Sequence, residues 1–168
     1  MTASAVRVEV SNESSYTELD LGHWGQVAAD TLVGEGVRRG SLDLLFVDAQ
    51  RMAELNREHM GKTGPTDVLS FPLDDPFEST EATLDGADDL GPLPLHVGDV
   101  VVCPTVADEQ APDHCGDFTA ELTLLIVHGV LHVLGHDHGE PGESAIMMER
   151  EAVHLARCGL THPGPASS

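Results

Sequence analysis

Four of the chain's ten histidines fall in the short segment His128-Gly129-Val130-Leu131-His132-Val133-Leu134-Gly135-His136-Asp137-His138. On a helix, His128 and His132 stand one turn apart on one face, so two imidazoles can reach one metal ion. Gly135 can take a positive φ and end that helix, which lets His138 swing back as a third ligand. Three neutral imidazoles leave the fourth position of a tetrahedral zinc open for water, the arrangement of catalytic sites, and zinc lowers the pKa of that water to about 7. A lone histidine on an apolar helix is usually just packed and hydrogen-bonded. Two adjacent imidazoles buried without a partner would be costly. The spacing therefore predicts one Zn2+ per chain, held by His128, His132 and His138. His136 is a competing ligand that the spacing disfavours. Asp137 is either an acceptor that orients an imidazole or a plain turn residue.

Metzincin proteases share this ligand spacing, but there a glutamate follows the first histidine and serves as general base. Here that position is Gly129, which cannot take a proton. The chain keeps the metal cage and lacks the peptidase base. Asp67 and Ser70 are the polar side chains that could assist from a neighbouring strand, the simpler role for each being a cap or a strand-end hydrogen bond.

The elements that must position the histidines follow from periodicity. Val6 to Val10 alternates as a half-exposed strand. Leu21 to Arg39 has helical spacing, with Gly40 closing it. Leu42 to Val47 reads as a buried strand, and Asp48 as the cap of a helix to about Met60. Thr66 to Phe71 and Gly98 to Cys103 are further strands. Helices follow from Pro104 through Gln110, from Phe118 to Leu134, and from the turn at Gly139 to Gly142 to about Cys158. The expected fold is α/β of the α+β type: a small mixed four-stranded sheet packed with about five helices, a single-domain metallohydrolase over residues 1–160. Residues 73–96 carry seven acidic residues and no Lys or Arg, the composition of a solvated loop insert. Residues 161–168 are expected to form a flexible tail.

The chain has 29 acidic and 8 basic residues, a net charge of −21. Such a surface repels polyanions at long range and argues against a general nucleic-acid binder, DNA included. It suits a high-salt cytosol. No apolar run reaches the roughly 18 residues of a membrane span, and no secretory signal opens the chain, so no membrane partner and a cytoplasmic location are expected. Cys103, Cys115 and Cys158 match no zinc knuckle or redox pair and read as reduced, buried thiols.

Three blocks carry a resemblance. His128 to His138 resembles the HGxLHxxGxDH motif of the YbeY family of bacterial endoribonucleases. Leu55-Asn56-Arg57-Glu58 with Gly64 to Pro72 resembles its PTDVLSFP stretch. Gly98 to Pro104, with Ala107 and Glu109-Gln110-Ala111, resembles its GDIxI stretch. The likeness covers about Val6 to Leu160. It implies a hydrolytic zinc at the three matched histidines and cleavage of single-stranded RNA. It also implies work on ribosomal RNA, including the 3′ end of 16S rRNA, ribosome quality control, and the ribosome or its proteins as partners. The chain departs from the family at Met60, where many members carry a cleft arginine that could hold a phosphate. Arg57 and Lys62 are the nearby candidates for that contact, the alternative for each being an ordinary surface charge. Two competing readings remain: a ribosome-assembly factor with little catalysis, and a metal-dependent hydrolase of another substrate.

Overall fold

Alternation of side chains makes β1, Ala5–Asn12, a strand with one inward face: Val6, Val8 and Val10 pack on the core while Arg7 and Glu9 are exposed. The structure is a computed structural model that describes residues 5–76, 95–136 and 141–163. Asp20 caps α1, Leu21–Gly34, by accepting from the His23 amide at 3.1 Å. This helix stops short of the expected Arg39. Gly36, at φ 95°, makes the turn. Gly40 lies instead inside β2, Arg39–Phe46, where an added Cβ would come 2.8 Å from Val97 Cγ2. In α2, Ala49–Met60, Asp48 is the first flanking residue as expected, but it makes no side-chain cap. Its Oδ1 accepts instead from Ser15 N and Oγ at 2.8 and 3.0 Å, which ties the β1–α1 loop to the start of α2.

The remaining elements are β3 (Val68–Pro72), β4 (His96–Val102), α3 (Pro104–Gln110), a 3-10 turn at Ala111–Asp113, α4 (Phe118–Val133) and α5 (Pro141–Arg157). The four strands form one sheet in the order β1-β2-β4-β3, with β1, β2 and β4 parallel and β3 antiparallel. The mixed α/β sheet and its helices are the architecture expected from periodicity.

One face of the sheet carries the main core. Leu42, Leu44 and Phe46 of β2 and Val100 and Val102 of β4 share a buried cluster with Trp24, Ala28 and Leu32 of α1 and Leu122, Ile126 and Val130 of α4. Burying each such side chain contributes about 1.5–3 kcal/mol. On the other face α2 covers Leu45, Val101, Leu69 and Phe71 with Met52 and Leu55. Of the three cysteines only Cys103 is buried; Cys115 is half-buried and Cys158 exposed, because Cys158 falls where α5 has ended. Most of the acidic insert, residues 77–94, lies outside the described residues.

Candidate functional site

From Ala120 to Val133, every residue of α4 is buried except His128 and His132. An apolar helix packed against the sheet thus opens to solvent at two imidazoles. Their rings meet edge to face, with centroids 4.6 Å apart. They line a cleft of about 490 Å³ together with Met60, Lys62, Asp67 and Ser70. The close approach of α4 to the sheet depends on Gly129. A Cβ there would meet Val100 Cγ1 at 2.6 Å and Val68 Cγ2 at 3.2 Å. Ser70 Oγ donates to the Gly129 carbonyl at 2.9 Å and pins the same contact. Where metzincins carry their base, this helix presses on β3 and β4.

His128 Nδ1 lies 2.5 Å from Glu151 Oε2 on α5, and His162 Nε2 lies 2.8 Å from Glu151 Oε1. Burial pushes the Glu151 carboxyl up, but the hydrogen bonds from His128 and His162 outweigh it and hold the carboxyl below its ordinary value. An ionised carboxylate only accepts. The hydrogen of His128 therefore sits on Nδ1, and Nε2 keeps the lone pair that a metal needs. His128 fits a zinc site on this ground, and His132 by its place beside it in the cleft.

Gly135 takes φ 102° and ends the helix segment after Val133, in line with its expected role. His138 and Asp137 lie outside the described residues. The structure thus brings together two of the three expected ligands. His136 is held by Glu35 Oε1 at 3.2 Å, within a cluster that includes Arg150 and His154. Lys62 lines the cleft; Arg57 is exposed near the end of α2 and is not among the lining residues. Met60, half exposed, occupies cleft surface without a charge.

Glu151 escaped the reading of the sequence. Its signal is a polar side chain inside the buried stripe Met147, Glu151, His154, Leu155 of α5. Two other sets of metal-capable side chains stand close together among the described residues: His114, Cys115 and Glu121, and Asp43, His96 and Asp99. In the first, burial and then the Glu121 charge push the Cys115 thiol up to about 12, so it stays a protonated, poor ligand. Neither set includes the cleft histidines.

Residues 9–159 match the family described as Endoribonuclease YbeY. Proteins named Endoribonuclease YbeY from Salinispora tropica and Beutenbergia cavernae are 42% and 43% identical to the chain; each alignment covers 89% of this chain and 94% and 91% of those proteins. The one from Mycobacterium leprae is 41% identical over 83% of this chain and 76% of its own length. In three dimensions the chain is similar to the solution structure of TM1509 from Thermotoga maritima, with a TM-score of 0.57, 23% identity, and 95% and 99% of the two chains covered. That likeness concerns the fold. The match over nearly the whole chain, on the residues that build the cleft, makes this protein a member of the YbeY family of endoribonucleases.

Proposed function

We propose that this chain is a zinc-dependent endoribonuclease that cuts single-stranded RNA, with His128, His132 and His138 as the ligands of one zinc. The observation that carries the reading is the Glu151–His128 contact, which engages Nδ1 of a ring that stands beside His132 in an open cleft, so that Nε2 is the nitrogen to offer a metal. Zinc bound there would supply Lewis acidity toward a phosphoryl oxygen and an acidified water. The chain's own residues do the rest. Glu151 orients His128, Lys62 offers the cleft's cation to a phosphate, and Asp67 offers a carboxylate. Arg57 is a weaker candidate for phosphate, reaching the RNA outside the cleft.

The family likeness supports ribosomal RNA as the substrate, including maturation of the 16S 3′ end and ribosome quality control, with the ribosome as partner in the cytoplasm. No described helix is long and apolar enough to cross a membrane. Residues 1–160 would form the working domain, with 73–96 as an acidic insert that contributes nothing to the chemistry.

The test joins metal analysis to cleavage on one preparation. Wild type should bind about one zinc and cut single-stranded RNA, and a chelator should abolish the cut. His132→Ala and His138→Ala should lose both zinc and cleavage. Glu151→Gln should bind zinc about 10- to 100-fold more weakly, the usual cost of losing a carboxylate behind a histidine ligand. Equal cleavage by wild type and His132→Ala, prepared in parallel, would show a contaminant and favour the assembly-factor reading.

A further inference from the structure

Glu121 is wholly buried in α4, two turns before His128, where an apolar side chain would pack at less cost. Its carboxylate accepts from Gln110 Nε2 at 2.8 Å, from the Cys115 amide at 3.2 Å, and lies 2.8 Å from His114 Nδ1. The partner that matters for the cleft is Gln110. A glutamine amide can present either its oxygen or its NH2 to a neighbour. A buried carboxylate that only accepts forces the NH2 toward itself. The second hydrogen of the same Nε2 is then directed at Asp67 Oδ2, 2.9 Å away. The Asp67 main chain is also held: its carbonyl accepts from the Cys103 amide at 2.9 Å. One oxygen of Asp67 is thus fixed from behind. The other, Oδ1, has among the described residues only a long 3.4 Å contact from Thr66 Oγ1.

A fixed carboxylate in a cleft meant for a polyanion needs an explanation, since it repels phosphates. It can gain from a nucleic-acid backbone only by accepting a hydrogen bond. The one donor that an RNA backbone carries is the ribose 2′-hydroxyl, which DNA lacks. We propose that Asp67, held in place by the positioning residues Gln110 and Glu121, accepts the 2′-hydroxyl of the bound strand and so makes the cleft prefer RNA over DNA. The inference rests on RNA as the substrate, yet it concerns binding and does not require that cutting occur.

The experiment measures affinities of the zinc-loaded protein for a single-stranded RNA and a DNA of the same sequence, before detectable cutting. Wild type should favour RNA by about tenfold or more, the worth of a hydrogen bond to a charged acceptor. Asp67→Ala, Gln110→Met and Glu121→Gln should each bring that ratio close to one. Zinc content should stay as in wild type, and DNA affinity should not fall in any of the three, rising in Asp67→Ala because a charge that repels phosphates is gone, a pattern that general loosening of the fold would not give. The Gln110→Met/Asp67→Ala double variant should be no worse than Asp67→Ala alone. If Glu121→Gln does not fold, the other two substitutions still decide. A wild-type ratio near one, or a full ratio in Gln110→Met, overturns the proposal. A clear RNA preference with no metal-dependent cleavage would sink the nuclease reading and leave this inference standing.

Discussion

Gly129 shows how one missing side chain serves both packing and chemistry. Its absent Cβ lets α4 settle on Val100 and Val68, and that contact fixes the height of His128 and His132 above the sheet. A methyl group there must push back Val100, since 2.6 Å is far inside van der Waals contact. Gly129→Ala should therefore destabilise the fold by about 1–3 kcal/mol, the usual cost of overpacking, despite alanine's better helix propensity. Denaturant unfolding measures this directly, and an unchanged or raised midpoint would show that the helix can shift at no cost. The ligand spacing of the histidines was legible in the sequence because it is local. Their supports were not. His128 finds Glu151 from another helix, and Asp67 finds Glu121 through Gln110, pairings that only the tertiary fold creates.

At the scale of elements, the end of α1 is where the sequence reading ran furthest from the structure. Leu21 to Arg39 keeps helical spacing, but Gly36 ends the helix and Glu35 is drawn into a cluster on α5. There Arg150 Nη2 at 2.8 Å and His154 Nε2 at 2.6 Å meet Glu35 Oε2. The strands and the other helices were readable because their apolar periods match their packing; a helix stop made by a turn glycine before a β-strand leaves no break in that period. Burial raises the Glu35 carboxyl, but the Arg150 and His154 bonds outweigh it and hold it below its ordinary 4.5. Burial lowers His154 below its ordinary 6.5, more than Glu35 raises it, so the neutral ring donates from Nε2 while Nδ1 has no hydrogen-bond partner among the described residues. Both folded values lie below the unfolded ones, so the unfolded chain takes up more protons as the pH falls. The stability these groups contribute is complete above about 6.5, declines first as His154 is forced to protonate, and declines again below about 4.5. His154→Gln keeps a donor for Glu35 and removes the first step. Between pH 7 and pH 5 its melting temperature should fall less than that of wild type; equal slopes would mean that the ring does not titrate against the fold.

The whole molecule carries its excess charge in an ordered way. With a net charge of −21, self-repulsion opposes the compact state at low ionic strength. Part of it is built into the sheet: Glu9, Asp43 and Asp99 stand directly opposite one another across β1, β2 and β4. Like charges at directly opposed positions destabilise a sheet. Burial raises the Asp43 carboxyl, His96 pulls it down, and Asp99 and Glu9 raise it again, so the row keeps a net penalty even with an imidazole beside it. The strands lie about 4.8 Å apart. The whole row falls inside the screening length of about 10 Å at 0.1 M salt, while at 1 M that length shrinks to about 3 Å and each charge stands alone. The melting temperature should therefore rise steadily from low salt to molar KCl. Asp43→Asn should stabilise the protein at low salt by about 0.5 kcal/mol, the scale of one cross-strand pair, and that gain should fade as salt is added. The fading separates the row from the bulk charge: removing an equally exposed carboxylate with no opposed neighbour should give less at low salt. A melting temperature flat in salt, or an Asp43→Asn gain that persists at molar KCl, would mean that something other than charge repulsion limits the stability of this sheet.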